Sequence, residues 1–295
     1  MYKNPTAVLT DHPSLWRVRR KIVKTALRLV LHYFLLFLVA TIMLFPFLYV
    51  LSASFKQSTT LLSFPPTLLP ENPNLDNYIH ILTQLPVLRW YLNSLIIAIG
   101  ITAGEVFLCA LTGYTFAKRD FPGKKMLFGL TMATLMIPAG LTLFPSFLVA
   151  RNLGLLDTYA GVILPGLPSA FGVFLLRQFM QTIPNELGDA AQIDGCTDFG
   201  VFWRIILPIS APGLAVLGIL AMNWSWNQLL WPLVILRSKS LTVLTVGLAG
   251  MRTEWTVHYG LLSAAVVLTV APLIIGFLFF QRYFVAGITA GSLKG

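Results

Sequence analysis

The chain has 295 residues, 56% of them hydrophobic and 11% charged, with a formal net charge of +10 and a mean hydropathy of +0.77. So few polar residues cannot coat a soluble domain of this size, which excludes an ordinary soluble enzyme or binding module. The net positive charge is no nucleic-acid footprint either, because the basic residues sit mostly in short loops beside long apolar runs, the pattern of an integral membrane protein.

Residues 1–28 form a basic N-terminal segment. From Ser14 to Arg28, the apolar Leu15, Val18, Ile22, Ala26 and Leu29 recur at helical spacing among Arg17, Arg19, Arg20, Lys21 and Lys24. That pattern suits a helix lying on an anionic membrane face, and it equally suits a basic flank that keeps the N-terminus inside. No small-residue cleavage site follows a short apolar core, so the first apolar run reads as a retained span. It covers Leu29 to Ser54, with a kink expected at Pro46. A proline-rich external loop follows from Phe55 to Arg89, completing a unit of residues 29–88, and Leu75 to Leu85 reads as a short interfacial helix within it.

The second span, Trp90 to Ala117, begins with Asn93-Ser94 and carries Glu105 near mid-depth. A carboxylate there is either a functional group on a protein-lined path or a protonated acid bonded to a neighbouring helix. Lys118 to Lys125 is a short basic turn whose spacing does not fit a phosphate-binding loop, and it reads as a cytoplasmic anchor. The third span, Met126 to Ala150, is broken by Pro138 and Pro145. After a link from Arg151 to Asp157, the fourth span runs from Thr158 to Met180 and contains Pro165 and Pro168.

Residues 183–208, from Ile183 to Pro208, are a polar, acidic island between apolar runs. Pro184 is pre-set for a first helical turn, with Glu186 and Asp189 near the positive end of the helix dipole. Gly195 stands where a left-handed C-terminal residue is needed, and Thr197 is placed to cap a second helix. That helix has one apolar stripe of Phe199, Phe202, Trp203 and Ile206, and Leu207-Pro208 disfavours its continuation. The whole reads as a helix–turn–helix lying on the protein's own surface or on a partner.

The fifth span, Ile209 to Leu236, holds Asn223, Trp224, Trp226, Asn227 and Trp231-Pro232 towards its outer half. Tryptophans there suit an interfacial belt, and rings beside amides also suit a polyhydroxylated solute. An external loop with Arg237, Lys239, Arg252 and Glu254 leads to the sixth span, Tyr259 to Gln281, and residues 282–295 form a tail. Placing the N-terminus inside puts most of the Lys and Arg on the cytoplasmic side. The expected architecture is therefore an all-α integral membrane protein with six transmembrane helices and both termini cytoplasmic.

Cys109 and Cys196 fall at different depths, so neither a disulfide nor a metal site is expected. His12, His32, His80 and His258 are scattered, and the chain lacks G-x-x-x-x-G-K-[ST]. An intramembrane enzyme would have Glu105 as its acid but no second polar catalytic group in a recognisable arrangement. A proton-coupled secondary transporter using Glu105 is the other rival.

The island resembles the coupling loop of bacterial ABC-importer permeases, whose pattern is E-A-A, then D-G, then an apolar stretch ending in L-P. The match reads Asp189-Ala190-Ala191, Asp194-Gly195 and Leu207-Pro208, with Asp189 in place of glutamate and Glu186 one turn earlier. Similarity to the maltose-type carbohydrate permeases extends to Leu75-Asp76-Asn77-Tyr78, Asn93-Ser94, Met136-Ile137-Pro138, Leu155-Leu156-Asp157-Thr158-Tyr159, the segment from Trp226 to Leu233 and the ending from Gly287 to Gly295. The resemblance implies a type I importer permease fold with its core at residues 89–281, in a bacterial inner membrane. It also implies import of a sugar or oligosaccharide, or of another polar solute such as a glycerol phosphate. The implied partners are membrane lipid, a second homologous permease, a dimer of ATPase subunits that binds ATP and Mg, and an extracytoplasmic solute-binding protein. No cofactor is implied in this chain. By the same resemblance Glu186, Asp189, Ala190, Ala191, Asp194 and Gly195 are the candidate ATPase-coupling residues. Glu105, Asn223, Trp226 and Asn227 are candidates for the solute pathway.

Overall fold

A computed structural model describes the backbone of residues 15–56, 68–251 and 258–292, and the side chains of those lying between 23 and 279. The chain before residue 15, much of the proline-rich loop, Arg252, Glu254 and the side chains of the C-terminal tail lie outside the described residues, as do those of Arg17, Arg19, Arg20 and Lys21. Among the described residues every regular element is helical.

Helix α1, Leu15–Ser54, is one unbroken run of 40 residues. The basic segment is thus continuous with the first span rather than a separate surface helix, and Pro46 sits inside without ending it. At 1.5 Å per residue it is about 60 Å long, roughly twice the hydrocarbon core. Its side chains from Val23 to Leu48 are all exposed, so lipid or another protein must cover them. The end of α1 is fastened by α2, Asp76–Gln84: the Asn77 amide donates to the carbonyls of Ser54 and Lys56, both at 2.9 Å, and the Tyr78 and Ser54 hydroxyls pair at 2.7 Å.

Helix α3, Val87–Lys118, is the axis of the molecule. It packs along α7 (Ala170–Gln181) and α11 (Ala211–Trp226), and it buries one continuous stripe from Trp90 through Ile97, Ile101, Glu105 and Cys109 to Tyr114. The remaining spans are broken. Helices α4, Lys124–Ala133, and α5, Ala139–Asn152, meet at 104° around Ile137-Pro138, where the residue before proline is pushed into extended backbone. Helix α6, Tyr159–Gly166, meets α7 at 46°, with the Ser169 hydroxyl accepting the Gly172 N–H to cap the new start. The helical stretch ending at Ile209 meets α11 at 76°. Three single helices, of which the last is α14, Tyr259–Ser292, and three bent pairs give up to six crossings. The expected fifth span stops early: α11 ends at Trp226, and a turn leads to the short α12, Leu230–Ile235, and α13, Leu244–Ala249.

One tryptophan and one tyrosine answer prolines. Pro165 lacks an N–H, which frees the carbonyl of Gly161, and Trp231 Nε1 donates to that carbonyl at 3.1 Å. Pro272 likewise frees the carbonyl of Leu268, which accepts from the Tyr91 hydroxyl, while Trp226 Nε1 donates to Thr269 O at 3.3 Å.

The segment from Ile235 to Leu244 is held from three sides. The Asn93 amide donates to the carbonyls of Ser240 (3.0 Å) and Thr242 (2.8 Å), while its oxygen accepts from the Tyr159 hydroxyl at 2.7 Å. The Ser94 hydroxyl accepts the Leu244 N–H at 2.9 Å. Asp157, in left-handed backbone at φ 56°, accepts the N–H groups of Arg237 and Ser238 at 2.9 Å each and the Ser238 hydroxyl. Two motifs of the resemblance, Asn93-Ser94 and Leu155 to Tyr159, therefore serve one clamp.

The Ser238 side chain first, then the two backbone donors, hold the Asp157 carboxyl below its ordinary pKa of 3.8. A depressed carboxylate pKa gives stability that is present above the unfolded value and lost as pH falls through the folded one. Asp157→Asn should therefore lower the melting temperature of the detergent-solubilised protein at neutral pH, with the gap to the unmodified protein closing below pH 3.8. Trp231→Phe leaves the Gly161 carbonyl without its donor and should cost about 1 kcal/mol, read from the same melting curves.

Candidate functional site

The acidic island is built by short-range rules. Asn185 is the N-cap of helix α8, Glu186–Ile193, whose first turn carries Glu186 and Asp189. The helix starts two residues after Pro184, later than the proline alone implied. At its other end Gly195 adopts φ 88°; its N–H donates to Gln192 O at 3.0 Å, and the Cys196 N–H reaches back to Ala191 O at 2.9 Å. This is the paired closure that a left-handed glycine permits. A Cβ on Gly195 would meet nothing within 4 Å, so glycine is required there for its backbone angle and not for space. Thr197 then caps α9, Asp198–Val201, through a 3.2 Å bond from the Gly200 N–H.

Helix α9 does not stop before Leu207-Pro208. It passes through a wide turn at Phe202–Ile206, in which the Leu207 N–H bonds to Phe202 O, and continues as α10, Leu207–Ile209. The wider turn brings Pro208 into the start of the next helical piece, where its missing N–H is tolerated. The apolar stripe divides: Phe202 and Ile206 enter the core, whereas Phe199 and Trp203 stay exposed and stack on each other at 6.1 Å. The inward pair joins Tyr114, Leu176, Met180 and Leu217, sewing the island onto α3, α7 and α11.

Glu186, Asp189, Ala190, Asp194 and Gly195 are all exposed along one end of the molecule, beside Leu187 and Ile193, the latter 86% exposed. Ala191 is buried against the protein's own core, so close approach from outside is open at Ala190 and not at its neighbour.

Polar groups missed in the sequence brace this surface. The Lys118 ammonium donates to Ile183 O and, at 2.8 Å, to Asn185 Oδ1. The Arg119 guanidinium pairs with Asp198 at 2.7 Å, donates to the Tyr114 hydroxyl at 2.7 Å and lies 5.5 Å from that ring. Gln192 of α8 donates to the same Asp198 carboxylate at 2.8 Å. The only sequence signal was two cations directly after an apolar span, which reads equally well as a membrane anchor.

The four solute-pathway candidates do not form one site. Asn223 and Trp226 line an open apolar groove of about 920 Å³ between α3, α11 and α14, together with Thr102, Val106 and Met222. Asn227 stands beside this lining and donates to Asn223 O at 2.8 Å. Glu105 is buried on α3 outside this lining, its carboxyl near Ser169, the cap of α7. Cys109 and Cys196 are both free, and no metal-binding cluster occurs among the described residues.

Residues 97–290 match the family model of the binding-protein-dependent transport system inner membrane component. The chain is 42% identical over 260 residues to the arabinooligosaccharides transport system permease protein AraQ of Halalkalibacterium halodurans, covering 87% of this chain and 93% of the relative. It is 34% identical over 262 residues to the sn-glycerol-3-phosphate transport system permease protein UgpE of Shigella flexneri, covering 86% and 93%. Its fold matches a chain of a bacterial ABC transporter involved in the import of the acidic polysaccharide alginate, with a TM-score of 0.79 at 24% identity, over 88% of this chain and 98% of that one. The chain therefore belongs to the binding-protein-dependent transport system inner membrane components, as a multi-pass permease of the ABC importer fold.

Proposed function

We propose that the chain is one membrane subunit of an ATP-driven importer for a sugar or short oligosaccharide, powered through residues 183–208. The observation that carries this reading is the exposed α8: a short helix with acids in its first turn and a glycine-closed end, presented outward while its inner side is locked to the core. A cleft on a separate ATPase subunit, which binds the ATP and Mg, receives Glu186, Asp189, Ala190, Asp194 and Gly195. The acids meet basic or amide groups there, and Ala190 permits close approach. Ala191 supports the same contact from behind. In this reading both termini and α8 are cytoplasmic, which the distribution of basic residues supports.

A second, homologous permease faces the open groove and closes it into a path, and an external binding protein delivers solute to the opposite end. ATP-driven closure of the ATPase dimer then draws α8 inward and rocks the spans between outward- and inward-open states. Rings and amides such as Trp226 and Asn223 suit the C–H faces and hydroxyls of a sugar, and the 42% identical relative is named for arabinooligosaccharides. The glycerol-phosphate alternative rests on the 34% identical relative. Proton coupling through Glu105 is disfavoured by its position, buried and off the groove.

Co-expression with the ATPase should yield a complex that takes up arabinotriose or glycerol 3-phosphate into proteoliposomes only with ATP and the binding protein, in the presence of a protonophore. Uptake that needs no ATP and collapses with the proton gradient would overturn the reading. Gly195→Val forces a branched side chain into left-handed backbone at a cost of about 1–2 kcal/mol and should abolish uptake or ATPase co-purification. Gly195→Asn, which tolerates that backbone, should retain both.

A further inference from the structure

Helix α3 holds both ends of the molecule, and its contacts at the island end are polar and converge. Lys118 grips the entry to α8 through Ile183 O and Asn185. Arg119 grips Asp198, the first residue of α9, and Gln192 ties α8 to that same carboxylate. Asp198 is thus a hub shared by α3, α8 and α9, and Tyr114 fixes the guanidinium from below through a hydrogen bond and its ring face. At the far end of the same 32-residue helix, Asn93 and Ser94 hold the segment from Ser240 to Leu244. A push on α8 reaches α3 by two routes that enter at adjacent residues, and α3 runs unbroken over its 32 residues.

From this arrangement we infer that Lys118 and Arg119 are positioning residues that pass the displacement of α8 to α3 through Asn185 and Asp198. They do not themselves meet the ATPase. The inference rests on the proposed docking of α8. The Arg119–Asp198 pair is half open to water, with side-chain exposures of 31% and 68%, so it adds little to stability. Its consequence is geometric: α8 and the tip of α3 move as one body. Without it, α8 still docks and the ATPase still fires, but the motion is lost in the joint.

The test uses the assembled complex in proteoliposomes with its binding protein, and whichever of arabinotriose and glycerol 3-phosphate drives hydrolysis by the unmodified protein. Arg119→Gln and Lys118→Gln should each lower solute taken up per ATP hydrolysed by about tenfold while hydrolysis continues. The charge-exchanged pair, Arg119→Asp with Asp198→Arg, should recover much of the ratio. Asp198→Asn, a near-isosteric change at an exposed position, supplies the same readout if an Arg119 variant fails to assemble. A purely structural role would lower uptake and hydrolysis together, with the ratio unchanged, and that result overturns the inference while leaving α8 docking intact. An unmodified complex without ATP-driven uptake overturns the docking and the brace together.

Discussion

A proline inside a span leaves the carbonyl four residues earlier without its helical partner, and hydrocarbon supplies no water to replace it. This chain answers with aromatic donors from neighbouring helices: Trp231 for the carbonyl freed by Pro165, and Tyr91 for the one freed by Pro272. These bonds tie particular helices to one another. Trp231 links α12 to α6, and Tyr91 links α3 to α14, whose main packing is against α1 and α11. At the bend between α6 and α7 a hydroxyl takes over the same task, Ser169 capping the start of α7, and Thr158 likewise caps α6.

That constraint explains what was and was not legible in the sequence. Local backbone rules were readable: Gly195 takes the left-handed angle, Thr197 caps the second helix of the island, and α2 lies within one residue of its expected start and end. The existence of the spans was readable from hydropathy, but not their angles, since a proline announces a break without saying how far the next piece turns. The backbone bonds of the tryptophans were not legible, for a physical reason. Composition suggested an interfacial belt or a solute-stacking surface; Trp231 and Trp226 also each spend their N–H on a backbone carbonyl, and only three-dimensional packing reveals which one. Lys118 and Arg119 were hidden in the same way, because two cations at the end of a span look alike whether they anchor it to headgroups or hold another helix.

The clamp at the other end of α3 gives the recognised motifs a common cause. Asn93-Ser94, the Asp157 to Tyr159 stretch and the chain after Ile235 are far apart in sequence. In space they form one hydrogen-bonded patch in which nearly every polar group is a side chain reaching an irregular backbone segment. A segment that forms neither helix nor strand must have its backbone satisfied in this way. Such a patch depends on the identity of each residue, whereas the apolar runs around it depend mainly on hydrophobicity and volume.

Energetics and mechanics then divide along α3. Burial of its stripe supplies cohesion, Ile97 and Ile101 against α6 and its neighbours and Cys109 and Ala110 against α7 and α11, all almost wholly removed from solvent or lipid. The exposed Arg119–Asp198 pair at one tip adds little by comparison, about 0–1 kcal/mol. Its value is directional. Apolar packing resists separation but tolerates sliding, whereas charge-assisted bonds to a single carboxylate fix distance and orientation together. A transporter that must tilt a helix bundle without unpacking it needs both, and α3 has cohesion along its length and direction at its ends.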